Sequence, residues 1–208
     1  MVQTSKRALS AVSWGVAGAA LPGEAESGDR EVVEAAPNAV LAAVVDALGH
    51  GPEAASAARA CTEALKGFCH EPLDALLRRC HQALLGTRGV VMSAASFNVA
   101  HDTLTWLGVG NIQGMLLRAS QDGSRYSEGL LPRGGIVGYQ MPPLRMSVLP
   151  LHAGDTLVFA TDGIRSDFSD GVDRGEEPQR IADRLLAEHS TGKDDALVLA
   201  VRYLGPGR

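Results

Sequence analysis

The chain holds 208 residues, 45% of them hydrophobic and 21% charged, which is apolar material for a sizeable core and not the composition of a disordered or fibrous chain. Aromatic residues at 4% and a net charge of −5 exclude a surface that stacks bases or tracks a phosphate backbone, so nucleic acid is not an expected partner. Three cysteines, Cys61, Cys69 and Cys80, make neither an even disulfide set nor a CxxC pair, as expected of a reducing compartment, the cytoplasm.

In chain order, Lys6-Arg7 followed by ALSAVSWGVAGAAL has the outline of a signal peptide. The run is diluted by Ala, Gly and Ser, and it alternates, with Ser10, Val12, Trp14 and Val16 on one face of a predicted strand. No other stretch is long enough to span a bilayer, and no membrane partner is expected. LPGEAESGDRE has the composition of an exposed loop. Asn38 to Asp46 (NAVLAAVVD) reads as a buried strand ended by Gly49-His50-Gly51-Pro52, with Pro52 placed to open a helix. In that helix Ala54, Ala58, Cys61, Leu65 and Phe68 form one apolar stripe. A second helix from near Pro72 presents Leu73, Leu76, Leu77, Cys80 and Leu84. Cys69-His70 and Cys80-His81 match no common zinc spacing and read as core thiols.

From Val90 the period changes to two, and Val91 to Ala100, Thr103 to Val109 and Ile112 to Arg118 read as an antiparallel meander. Gln121-Asp122-Gly123-Ser124 is a further hairpin signal. A Gly- and Pro-rich loop over residues 129–143 follows. Strands then resume at Leu144 to Leu149 and Thr156 to Thr161, a helix near Glu177 to His189, and a last strand at Ala196 to Tyr203 (ALVLAVRY). Strand-rich blocks with segregated helices predict α+β layers in a single domain, residues 1–208.

Four aspartates stand where strands give way to loops: Asp29 in SGDR, Asp46 in VVDALGHG, Asp162 in FATDGI and Asp194 in GKDDALV. Singly each has an ordinary reading: a helix cap for Asp46, turn residues for Asp162 and for Asp194 or Asp195, a solvated loop residue for Asp29. Jointly they mean more. Three of them abut runs so apolar (LAAVV, LVFAT, ALVLAV) that these must be core strands whose ends project into one cleft. Carboxylates gathered there raise one another's pKa unless a cation neutralises them, and all-oxygen ligation selects Mg²⁺ or Mn²⁺. Two ions sharing a bridging Asp and holding a hydroxide would suit phosphoester hydrolysis.

VVDALGHG, TDGI and GKDDALVLAV, preceded by SGDR, resemble the metal-binding motifs of the PP2C-type (PPM) serine/threonine phosphatases in their bacterial SpoIIE-like branch, in the same order and over nearly the whole chain. Within that branch, the short length without a sensor domain and the stretch RRCHQALLGTRGVVMSAASF before LGVGNIQGMLL resemble the RsbX type, phosphatases of the stressosome, a complex of STAS-domain proteins controlling a general stress response. The resemblance implies a PP2C-like α-β-β-α layered fold, two packed antiparallel sheets flanked by helices. It implies two Mn²⁺ or Mg²⁺ ions, with Asp46 bridging both, the Ala47 carbonyl serving the first, Asp29 supporting the first through its loop, and Asp162 and Asp194 holding the second. Asp46, Asp162 and Asp194 would then act through a metal-bound hydroxide. Asp195 is the weaker choice of its pair, because the motif places the ligand first. Gly163 would let the chain turn sharply at the metal, and Gly49 and Gly51 would let the loop pass close by.

The chain also departs from the family pattern. Ala47 stands where many relatives carry Gly, and His50 comes two positions later than the His of eukaryotic relatives, so the general-acid role is not carried over. Arg30, next to the first motif, is the nearest candidate for a phosphate-gripping arginine; Arg88 and Asn111 are unassigned. The expected activity is removal of phosphate from Ser or Thr on STAS-domain stressosome proteins, scaffold and antagonist. The alternatives are a phosphatase of a free anti-sigma-factor antagonist, a non-catalytic binding module on the same fold, and a metal-dependent nuclease, which the acidic balance disfavours.

Overall fold

The computed structural model describes residues 8–119 and 126–206; Lys6-Arg7 and the hairpin signal at residues 121–124 lie outside the described residues. Strands β1 (Val12–Ala19), β2 (Asp29–Ala36) and β3 (Ala39–Ala47) precede helices α1 (Gly51–Gly67) and α2 (Leu73–Ala83). Then come β4 (Val90–Asn98), β5 (Thr103–Val109), β6 (Gln113–Leu117), β7 (Ser127–Leu130), β8 (Ser147–Pro150) and β9 (Thr156–Ala160), followed by α3 (Pro178–His189) and β10 (Ala196–Tyr203). They form two five-stranded sheets, ordered β1-β10-β9-β6-β7 and β2-β3-β4-β5-β8, and every strand pair is antiparallel.

The period of two explains why β3 reads as an unbroken apolar run. Val40, Ala42 and Val44 point into the layer between the sheets, where they join Phe97, Leu104, Phe159, Leu199 and Val201. Leu41, Ala43, Val45 and Ala47 point the other way, into a cluster with Ala54, Cys61, Leu65, Leu76 and Leu77 of α1 and α2. In β10 the same split sends Leu197, Leu199 and Val201 between the sheets, and Ala196, Val198 and Ala200 toward Ile181, Ala182 and Leu185 of α3. Both faces of the central strands are thus buried, and each fully buried Val or Leu contributes roughly 1.5–3 kcal/mol.

The expected helices form where predicted; Pro52 lies in the first turn of α1, and Phe68, the last member of the predicted stripe, is exposed beyond its end. Cys80 is buried beside Cys61 in the helix-side core. Three expectations need correction. Asp29 is not a solvated loop residue: it opens β2, a strand the loop-like composition before it concealed, and it is only 6% exposed. The predicted meander breaks after β5, because β6 leaves for the other sheet and pairs with β7 and β9. The strand β1 starts only at Val12, so Ser10 precedes it and is not on its face; Val12 and Val16 pack between the sheets, and Trp14 on the same alternation remains 44% exposed.

Candidate active site

The alternation that builds the core also aims the acids. Asp46 continues the inward face of Val40, Ala42 and Val44 at the end of β3, and it stands directly opposite Asp29 of β2 in the strand register. From the other sheet, Thr161 follows the inward residues Leu157 and Phe159 of β9, with Asp162 next to it; Asp194 and Asp195 immediately precede β10. The four expected aspartates therefore meet at one mouth of the inter-sheet layer.

Their electrostatics are those of a crowded, partly desolvated cluster. Burial, and then the charges of Asp29, Asp162, Asp194 and Asp195, push the Asp46 carboxyl up to about 8. Burial, and then the charges of Asp195, Asp162 and Asp194, push Asp29 up to about 7, against a hydrogen bond from Thr161 that works the other way. Like charges directly opposite across a strand pair destabilise the sheet, and no Lys, Arg or His ion pair reaches any of these five aspartates among the described residues. The donor set, oxygen only and uncompensated, fits a hard divalent cation. No three His, Cys, Asp or Glu side chains among the described residues form a ready-made coordination cage, so this fit rests on shared electrostatics and donor chemistry.

Each acid is held differently. Thr161 Oγ1 donates to Asp29 Oδ2 at 2.7 Å and accepts the Leu197 amide at 2.8 Å, which ties Asp29 of one sheet to the backbone of the other. Asn111, at the turn between β5 and β6, donates through Nδ2 to Asp162 Oδ2 at 2.9 Å. Asp162 and Asp194 are exposed, whereas Asp195 is 3% exposed. Asp195 Oδ1 accepts the Leu21 amide at 2.7 Å and Oδ2 the Gly28 amide at 2.6 Å. That contrast supports Asp194, not Asp195, as the acid available to a cation. Thr161 and Asn111 were not singled out for these contacts from sequence. Thr161 was findable, since the inward parity of LVFAT selects it; Asn111 had no such signal.

The remaining predicted positions separate clearly. The Ala47 methyl lies in the helix-side core, pointing away from the acids, so Ala in place of Gly leaves the backbone there unobstructed. Ala47 also donates its amide to the Gly28 carbonyl at 3.2 Å. A Cβ on Gly163 would stand 2.0 Å from the Asp195 carbonyl oxygen; this glycine is required by close approach, not by a left-handed backbone. Gly51 does need one, with φ at 77°. His50 is the residue before α1, so Asp46 caps no helix there; its Nδ1 is 2.6 Å from Glu24 Oε1. Arg30 lies on the face of β2 opposite Asp29 by strand parity, and the structure does not bring it to the acids. Arg88 donates to Glu53 against the Gly49 loop. A cavity of about 250 Å³ opens beside Asp29, lined in part by Ser27, Glu31, Gly18 and Leu197. Among the described residues no helix is long and apolar enough to cross a membrane.

Residues 36–204 match the Stage II sporulation protein E (SpoIIE) family. The chain is 24% identical to the phosphoserine phosphatase RsbX of Bacillus subtilis (strain 168) over 174 residues, 83% of this chain and 85% of the relative. A crystal structure of RsbX in complex with magnesium superposes with a TM-score of 0.82 at 22% identity, covering 92% of this chain and 95% of that one. A chain described with the bacterial stressosome, "a modular system that has been adapted to control secondary messenger signaling", gives a TM-score of 0.83 at 26% identity over 92% of this chain and 99% of that chain. The PP2C phosphatase domain of the Bacillus subtilis cell-fate determinant SpoIIE shares the fold with a TM-score of 0.76 at 22% identity, over 93% of this chain and 63% of that chain. The layered sheets, the aspartates at their mouth and this family match agree: the chain belongs to the SpoIIE family of PP2C-type protein phosphatases.

Proposed function

We propose that this chain is a metal-dependent phosphoprotein phosphatase that removes phosphate from Ser or Thr of STAS-domain stressosome proteins, scaffold and antagonist, in the cytoplasm, resetting a bacterial general stress response. The observation that carries the chemistry is the Asp29–Asp46 pair, opposite one another in register, raised well above the usual carboxylate range and uncompensated by a cationic side chain among the described residues. The similarity to RsbX and to a stressosome chain supports the choice of partner.

Asp46, Asp29 and the Ala47 carbonyl on one sheet and Asp162 and Asp194 on the other would hold two ions, Mn²⁺ or Mg²⁺, with Asp46 serving both. Bound ions of this kind supply an activated water and neutralise phosphoryl oxygens. The reaction is hydrolysis: water oxygen bonds to phosphorus, the bond to the Ser or Thr oxygen breaks, and that oxygen leaves with a proton from water. Thr161 and Asn111 hold Asp29 and Asp162 in place while the mouth remains open to a protein-borne phosphate.

The decisive assay is phosphate release from a phosphorylated STAS-domain protein with Mn²⁺, with EDTA and with Asp46→Asn. Release that needs both Mn²⁺ and Asp46 is expected. Activity toward a small aryl phosphate alone would overturn the partner assignment; silence on both substrates would overturn the activity in favour of a binding module.

A further inference from the structure

Asp195 is the acid of the cluster that the metal reading leaves without a task, yet it is the most buried of them and the only one with both carboxylate oxygens engaged by backbone amides among the described residues. Its two donors, Leu21 and Gly28, lie within the connection that carries the chain from β1 in one sheet to β2 in the other. Gly28 is followed at once by Asp29, and the Gly28 carbonyl accepts the Ala47 amide at 3.2 Å. One buried carboxylate is thereby linked, through a single residue, to the first acid of β2 and to the backbone at the end of β3. Asp195 also meets the opposite side of the mouth. Its carbonyl oxygen lies so close to Gly163 that a side chain there would collide at 2.0 Å, and its amide donates to Asp194 Oδ1 at 2.8 Å. Gly28 has little room to adjust, since a Cβ on it would stand 3.0 Å from the Ala54 methyl and 3.3 Å from Asp195 Oδ2.

We infer that Asp195 is a positioning residue: its carboxylate clasps the β1–β2 connection and so sets Asp29 and Ala47 of one sheet against Asp162 and Asp194 of the other. The inference rests on the metal-site reading above. A carboxylate offers acceptors on both oxygens, which two converging N–H groups require; an amide of the same shape places an N–H against one of them. Groups that orient metal ligands without touching the metal typically change metal affinity by about 10–100-fold when altered.

The test is Mn²⁺ binding by calorimetry to wild type, Asp195→Asn and Ile181→Val, the last a change in α3 on the far face of β10 that lowers stability without approaching the mouth, with thermal melts in EDTA on all three. The expected result is a loss of about tenfold or more in Mn²⁺ affinity for Asp195→Asn and none for Ile181→Val, with phosphatase turnover of Asp195→Asn partly restored at high Mn²⁺. Unchanged Mn²⁺ affinity in a less stable Asp195→Asn would sink the inference and leave the metal site standing. Wild type that binds no Mn²⁺ would overturn both. Should Asp195→Asn fail to fold, amide resonances decide on wild type alone: Gly28 and Leu21 must shift when diamagnetic Mg²⁺ is added, and unmoved resonances would reject the relay.

Discussion

The two sides of the acidic mouth are built to different rules. On the β2–β3 side, Asp29 and Asp46 face each other on adjacent strands, largely out of water, and burial together with the charges of the surrounding aspartates drives both toward the neutral form. On the β9–β10 side, Asp162 and Asp194 are exposed at loop positions, each held by one hydrogen bond, from Asn111 and from the Asp195 amide. The first side is in conflict without a cation, while the second is open to solvent. In the proposed metal site, β2 and β3 would supply the demand for a cation and the opposite loops adaptable ligands.

Asp46→Asn should break the comparison most severely. Turnover should fall by about a thousandfold or more, as expected when a group acting at the reacting centre is removed, while the melting temperature in EDTA above pH 8 should rise, because a buried repulsive charge is gone. A lower melting temperature would show that Asp46 stabilises the metal-free fold, contrary to its placement. Asp194→Asn and Asp162→Asn come next, with losses of about 10–100-fold in turnover and little change in EDTA melts, since both side chains are exposed. Equal stability effects on the two sides would erase the distinction.

The pH response follows from the sign of the shifts. Asp29 and Asp46 titrate higher in the folded chain than the ordinary 3.8 of an unfolded Asp, at about 7 and about 8. Their contribution to stability is therefore complete below about pH 4 and lost as pH rises through 7 to 8. Protons and metal compete for the same oxygens, so Mn²⁺ affinity should climb over that window and level off above it. Calorimetry from pH 6 to 9 reads this directly, and a flat profile would contradict the crowding. Asn111→Ala should have the smallest effect, a few-fold in turnover, because it frees one exposed carboxylate from one hydrogen bond.

Much of this was legible beforehand for a simple reason. The runs LAAVV, LVFAT and ALVLAV are apolar on both parities, which only strands covered on both faces can be, and an Asp at the end of such a run must lie at the rim of a core. SGDR offered no comparable cue: its Gly, Ser and acidic neighbours read as loop, and the burial of Asp29 depends on a strand pairing with β3 that local composition does not report. The departure of β6 to the other sheet was equally hidden, since β5 and β6 have the same period and a short connection, and only the pairing partner decides between a meander and a crossing.

The Asp194-Asp195 pair draws the line most sharply. Sequence alone settled that two adjacent acids precede β10 and that their strand is buried; the family resemblance implies the first as the ligand. Which acid faces water and which accepts Leu21 and Gly28 was decided only by tertiary structure. Adjacent residues at a strand end point to opposite sides, and the side that is interior depends on where the second sheet packs, a long-range contact that no local pattern encodes.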